Sequence, residues 1–221
     1  STENVIQALL GLKRRPCCDY VKRGVLRRVE PPPGFPAVYV LGHAYLDLAH
    51  SLYETSKGIP IPYPFHRQAI PFAEQVLHNQ GAQLCALRFL KEDDFIVCER
   101  EFRLKKQKNG LAIPDFSITK GLDASIVYYE YERTPKFDLR LVHQLQLRAE
   151  ALKAGSFSEI VWCCSREGIM RNIVNALEKD YLPRVEKGPD GSLEVTKRLI
   201  DRWYPAELSR HSRFAIEGID F

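Results

Sequence analysis

Short apolar runs with strand character and longer runs with helical spacing follow one another along this chain in an order that predicts an α/β protein. Three observations carry that expectation. Residues 124–131 are rich in β-branched and aromatic side chains and read as a strand. Residues 138–154 place Leu141, Val142, Leu145, Ala149 and Leu152 at helical spacing, with Gly155 as the expected C-terminal stop. The run Glu159-Ile160-Val161-Trp162-Cys163-Cys164 is almost wholly apolar, as a strand covered on both faces should be. A helix between two strands is how parallel neighbours are joined, so the sheet should be mixed, with helices flanking it.

Upstream, residues 17–22 end a helix, Gly24 turns the chain, and Val25-Leu26-Arg27-Arg28-Val29 reads as a strand. A second strand is expected at 37–41. Between them Glu30-Pro31-Pro32-Pro33-Gly34-Phe35-Pro36 cannot sit inside a ladder, so the two runs form a hairpin with a proline-rich tip. A helix over 42–54 follows. Helix, hairpin and helix in this order make a winged-helix-like unit; a hairpin that merely packs on the next domain would read the same way. Residues 56–71 carry Gly58, Pro60, Pro62, Pro64 and Pro71, the composition of an extended linker, which places a boundary near Ser56 and divides the chain into 1–56 and 57–221. The second part opens with a helix over 71–80, then strands at 83–90, 95–104, 114–119 and 124–131. After the helix at 138–154 and the strand at 159–164, a helix is expected over 167–181. The residues beyond Leu182 give no assignment.

Composition narrows the class. The 221 residues hold 32 Lys and Arg against 28 Asp and Glu, a net +4, and 45% are hydrophobic, which excludes a disordered tail. No apolar stretch approaches the roughly 18 residues of a membrane span. The first ten residues lack the pattern of a secretion signal, so a cytoplasmic protein is expected. The six cysteines, at 17, 18, 85, 98, 163 and 164, include no CxxC half-site and read as reduced thiols rather than zinc ligands. The charge is uneven: in residues 1–30 Lys13, Arg14, Arg15, Lys22, Arg23, Arg27 and Arg28 face only Glu3, Asp19 and Glu30, a local net +4 equal to that of the whole chain. Such a cluster suits a phosphate backbone, and a solvated basic face looks similar.

Chemistry is expected at three acids. Glu130 and Glu132 are two apart on a strand and project from one face, and Asp115, after Pro114, can join them from the neighbouring strand's end. Three converging carboxylates repel one another unless a cation lies between them, and Mg²⁺ or Mn²⁺ with oxygen ligands fits. Phosphodiester hydrolysis is the natural use, with Lys136 adding positive charge or helping to activate water. Glu99 and Glu101 are candidates for a further ligand. The competing reading makes Glu130 and Glu132 the polar face of a half-exposed strand, paired to Arg133 or Lys136. The six histidines, at 43, 50, 66, 78, 143 and 211, include no His-x-His pair, and there is no GxxxxGK[ST] or GxGxxG phosphate loop, so ATP-driven chemistry is not expected.

These residues resemble a known family. "PDF" at 114–116 followed by a strand ending "EYERTPK" at 130–136 is similar to the PD-(D/E)XK nuclease superfamily, whose Asp and Glu-x-Lys line a metal site at a sheet's edge. Here Glu132 stands where Lys is usual. The fuller pattern of Asp115, Glu130, Glu132 and Lys136 resembles that of MOBC-type plasmid relaxases, which are built on a restriction-endonuclease-like domain. The segments "VKRGVLRRVEPPPGFPAVYVL" and "FHRQAIPFAEQVLHNQGAQL" resemble the winged-helix hairpin and the following helix of the related replication-relaxation family. The resemblance spans about residues 15 to 165. It implies a bacterial DNA endonuclease that nicks one strand of a plasmid transfer origin to start conjugative mobilisation, alongside an accessory mobilisation protein and a coupling protein. Asp115, Glu130 and Glu132 would hold Mg²⁺ or Mn²⁺, Lys136 would assist the water or the scissile phosphate, and Arg14, Arg15, Lys22, Arg23, Arg27 and Arg28 would contact DNA. Tyr128, Tyr129 and Tyr131 lie beside the acids, yet hydrolysis without a lasting tyrosine adduct is expected. The alternatives are a non-catalytic winged-helix accessory or regulatory protein, and a restriction- or repair-type endonuclease.

Overall fold

The computed structural model describes residues 2–11, 17–30, 33–42, 45, 51, 73–91, 94–99, 102, 113–120, 125–196 and 202–217. They fall into two compact units, Ser1–Arg88 and Phe89–Phe221, while the boundary expected near Ser56 lies outside the described residues. The proline-rich linker at 56–71 and almost all of the helix expected over 42–54 lie outside the described residues.

The first unit begins with helix α1 (Glu3–Leu10) and the short α2 (Cys17–Lys22). α2 stops where Gly24 takes φ 72°, a left-handed conformation that glycine adopts without a Cβ clash. The Gly24 and Val25 amides then close back onto Val21 and Tyr20 carbonyls at 3.0 and 2.9 Å, satisfying two orphaned helix-end acceptors. Strands β1 (Leu26–Val29) and β2 (Val38–Leu41) pair antiparallel, Arg27 opposite Val40 and Arg28 opposite Tyr39, as the proline-rich spacing predicts. The unit's long helix α3 (Ala73–Phe89) replaces both the helix expected over 71–80 and the strand expected over 83–90. The apolar residues of 83–90 are Leu, Cys, Ala and Phe without β-branching, and Leu and Ala are strong helix formers.

The second unit is built on a five-stranded mixed sheet of β3 (Phe95–Cys98), β4 (Phe116–Lys120), β5 (Ser125–Glu132), β6 (Glu159–Cys164) and β11 (Ser212–Ile216), in the order β11-β6-β5-β4-β3. β3, β4 and β5 run antiparallel; β6 is parallel to β5 and β11 is parallel to β6. β3 is shorter than expected: Glu99 and Phe102 are helical, and the consecutive charges of 99–101 offer no apolar–polar alternation to extend the strand. β4 begins only after Pro114, which has no N–H for the ladder.

Helix α4 (Asp138–Lys153) links β5 to β6 and ends as predicted at Gly155, φ 71°, with Gly155 and Ser156 amides bonded to Leu152 and Ala151 carbonyls. Helix α5 (Glu167–Leu177) ends four residues early, where its buried stripe of Ile169, Ile173, Ala176 and Leu177 runs out. The unassigned tail forms β7 (Leu182–Pro183), β8 (Val185–Lys187), β9 (Leu193–Val195), β10 (Arg202–Trp203), α6 (Ala206–Arg210) and then β11. Leu145, Ile160, Trp162, Cys164 and Leu208 lie at the centre of the core, each fully buried. Trp162 is satisfied there by donating its indole N–H to Ser212 Oγ at 3.2 Å. Among the described residues no helix is long and apolar enough to cross a membrane.

Candidate active site

The second half of β5 is buried on both faces, so its acids are not the polar side of a half-exposed strand: Glu130 and Glu132 are each 4% exposed. They lie opposite Trp162 and Cys164 of β6. Buried carboxylates need partners, and α4 supplies most of them. Arg148, itself 3% exposed, forms an ion pair with Glu130 Oε1 and donates from Nη2 to the Ile113 carbonyl at 2.9 Å. One guanidinium therefore ties the strand carrying Glu130 to the segment that leads into Asp115. Gln144, one turn earlier, donates from Nε2 to Glu132 Oε1 at 2.6 Å and reaches Glu130 Oε2 at 3.5 Å, bridging the two acids. Lys136 Nζ is 2.7 Å from Glu132 Oε1. Asp115 Oδ2 accepts the Tyr131 N–H at 2.7 Å, and its carbonyl accepts the Glu99 N–H at 2.9 Å.

Three sequence-predicted residues, Glu130, Glu132 and Lys136, thus come together, with Asp115 beside them immediately before the neighbouring strand β4. Burial pushes the Glu130 carboxyl up to about 8; Arg148 and Lys136 pull against this, while Asp115 and Glu132 push further. Among the described residues no three His, Cys, Asp or Glu side chains are arranged to hold a metal ion. The acids do supply the hard oxygen donors that Mg²⁺ and Mn²⁺ prefer, and their present partners are protein cations and an amide. A cavity of about 10 Å³, room for one water, is lined by Glu132, Lys136, Gln144 and Asn172 among its polar residues. Glu99 is helical and Glu101 lies outside the described residues.

The three neighbouring tyrosines are all buried. Burial raises the Tyr128 and Tyr129 phenols above their ordinary range, and Tyr131 donates its hydroxyl proton to Glu217 Oε2 at 2.8 Å.

Sequence reasoning missed Gln144 and Arg148. Their signal was present, since both sit on the stripe of α4 that buries Leu141 and Leu145, where a polar residue needs a partner.

Of the expected DNA contacts, Lys22 in the last turn of α2, Arg23 after it, and Arg27 and Arg28 on β1 are all exposed. Arg28 reaches Glu30 at 3.1 Å. Arg14 and Arg15 lie outside the described residues. No protein-family model, no curated protein and no solved structure matches this chain.

Proposed function

We propose that the chain is a divalent-metal-dependent DNA endonuclease that nicks one strand of a plasmid transfer origin, in the manner of the MOBC-type relaxases its motif resembles, and acts by hydrolysis without a tyrosine adduct. The observation that carries this reading is the buried Glu130–Glu132 pair, at the end of a strand in a mixed sheet flanked by helices, with Lys136 against Glu132 and Asp115 just before the adjoining strand. The finer reading of the second unit as restriction-endonuclease-like, and of the helix and hairpin of the first as a winged helix, belongs to the same proposal.

In this reading Asp115, Glu130 and Glu132 would hold Mg²⁺ or Mn²⁺ after moving from their present arrangement, and the ion would supply Lewis-acid chemistry to the scissile phosphate and the attacking water. Gln144 orients the two glutamates. Lys136, released from Glu132, meets the negative charge of the phosphate. Binding the metal therefore competes with the Arg148 and Lys136 cations for the same oxygens. The buried and raised Tyr128 and Tyr129 support water as the nucleophile. The exposed Lys22, Arg23, Arg27 and Arg28 are the contacts proposed to reach DNA phosphates. The setting is a bacterial cytoplasm, with accessory mobilisation and coupling proteins as partners.

A second reading is favoured by the internal pairing of the acids: Glu130 with Arg148 and Glu132 with Lys136 can be structural ion pairs in a DNA-binding accessory protein that cuts nothing. Incubating supercoiled plasmid carrying the source element's transfer region with Mg²⁺ or Mn²⁺ separates the two. The expected result is open circles nicked at one strand position, lost in EDTA and in the Asp115→Ala/Glu132→Ala variant. Specific binding with no cutting under either metal selects the accessory protein.

A further inference from the structure

The exposed large aromatic side chains among the described residues are Phe95, Phe137, Tyr181 and Tyr204, and Phe137 is the one that adjoins the candidate site. It is 60% exposed and directly follows Lys136, whose Nζ contacts Glu132. Covering so exposed a phenyl ring would be favourable in water.

The backbone holds it in place. Phe137 is extended, at φ −123° and ψ 162°, as the residue that caps α4. Asp138, which begins the helix, takes φ 50°, the one non-glycine residue with positive φ among those described. That left-handed conformation costs an L-residue energy that a glycine would avoid, and strain of this kind concentrates where a side chain must be presented in one direction.

Cationic residues flank the same turn in sequence, Lys136 among them paired to Glu132. Lys136 precedes Phe137, exposed Arg140 lies in the first turn of α4, and Arg133 ends the approach to the loop. The Ser165 hydroxyl donates to the Arg133 carbonyl at 3.0 Å, bringing exposed Arg166 to the same rim. Against them stand exposed Asp138 and Glu167, the latter already paired to Arg171 at 2.6 Å. An exposed aromatic ring set among cations is the combination that binds an unpaired nucleotide, the ring stacking on the base and the cations meeting its phosphates.

We infer that Phe137 is a stacking residue for an unpaired nucleobase next to the scissile phosphate, so that the site takes single-stranded or locally melted DNA in preference to intact duplex. This rests on the nuclease reading of Glu130 and Glu132 for its place in the reaction, and on nucleic-acid binding alone for its test.

The test uses the full chain and two fluorescein-labelled DNA probes of the same mixed sequence, one single-stranded and one duplex, read by anisotropy in EDTA so that no cutting intervenes. A third probe carries 2-aminopurine at single positions along the strand, whose fluorescence falls when it stacks on an aromatic ring. Phe137→Ala should weaken single-strand binding by about tenfold and abolish the position-specific quenching, while leaving duplex binding unchanged. Phe137→Trp should retain both signals, and Phe137→Leu should lose them, because stacking needs a π face and apolar area does not replace it. Retention of tight single-strand binding and quenching in the Ala or Leu variant overturns the inference and leaves the nuclease reading standing. A wild-type chain that binds neither probe overturns the inference and the DNA-directed function together. Plasmid nicking that fails while Phe137-dependent quenching persists removes the nuclease reading and keeps the stacking site.

Discussion

The two charged regions of this molecule treat their charges in opposite ways. In the sheet unit Glu130, Glu132 and Arg148 are all but sealed from water and are held by one another, by Gln144 and by Lys136. On the hairpin Arg27 and Arg28 face solvent, and the pair that Arg28 makes with Glu30 is exposed on both sides. Water replaces a lost partner at the surface and cannot in the interior, so the interior charges are committed to each other while the surface charges are available to a partner.

The hardest test of that contrast is Arg148→Met. The substitution keeps much of the side-chain volume and removes the cation, leaving Glu130 buried with its main counter-charge gone and the Ile113 carbonyl without its donor. At a pH above about 8, where Glu130 carries its charge, a loss of about 3–5 kcal/mol in unfolding free energy is expected from urea denaturation. Combining it with Glu130→Gln should return a large part of that loss, because the uncompensated charge goes with it. A single variant as stable as the wild type would mean that the pair is not committed in the sense drawn here.

Acidity gives the second test. Glu130 titrates near 8 in the folded chain and near its ordinary 4.5 when unfolded, so between those values the folded state holds the proton more tightly. Its contribution to stability is therefore full below about 4.5 and is lost as pH rises through about 8. The melting temperature should fall over that window by more in the wild type than in Glu130→Gln, which cannot titrate. Saturating Mn²⁺ should shift the same titration downward, since a bound cation favours the carboxylate.

Much of this architecture was legible in the residues. The strand at 159–164, the helix ending before Gly155 and the hairpin around the proline-rich tip follow from local chemistry that tertiary contacts do not reverse. The segment 83–90 misled because Leu, Cys, Ala and Phe in an apolar run serve a helix as well as a strand, and a short run does not show which of the two it continues. At the site, Glu130 and Glu132 were found by their spacing alone. Their burial was not, because it depends on α4 lying over β5, and with it went the identities of Arg148 and Gln144, which no linear spacing joins to the acids.

Gln146 asks whether the interior is sensitive to charge or to any polar group left alone. Its amide accepts from the Val185 N–H at 2.9 Å and donates to the Val185 carbonyl at 3.3 Å, fastening β8 to α4 through two buried bonds. Gln146→Leu fills the space and orphans both backbone groups, so a loss of about 1–3 kcal/mol is expected. It should be smaller than that of Arg148→Met, as no net charge is stranded, and it should not change with pH between about 4.5 and 8, in contrast to the window set by Glu130.

The smallest effect on stability is expected at the hairpin, where Arg27→Ala and Arg28→Ala should leave the melting temperature within the scatter of surface substitutions. Their effect should fall instead on DNA. If each arginine meets one phosphate, its removal lowers affinity by a similar factor on every duplex sequence, and the slope of log affinity against log salt becomes shallower by about one for each residue. An unchanged slope would separate the hairpin's charge from DNA binding and leave it a solvated face. A change confined to one sequence would instead make the arginine a reader of base edges, which a strand with Arg27 and Arg28 on opposite faces can offer from only one of them at a time.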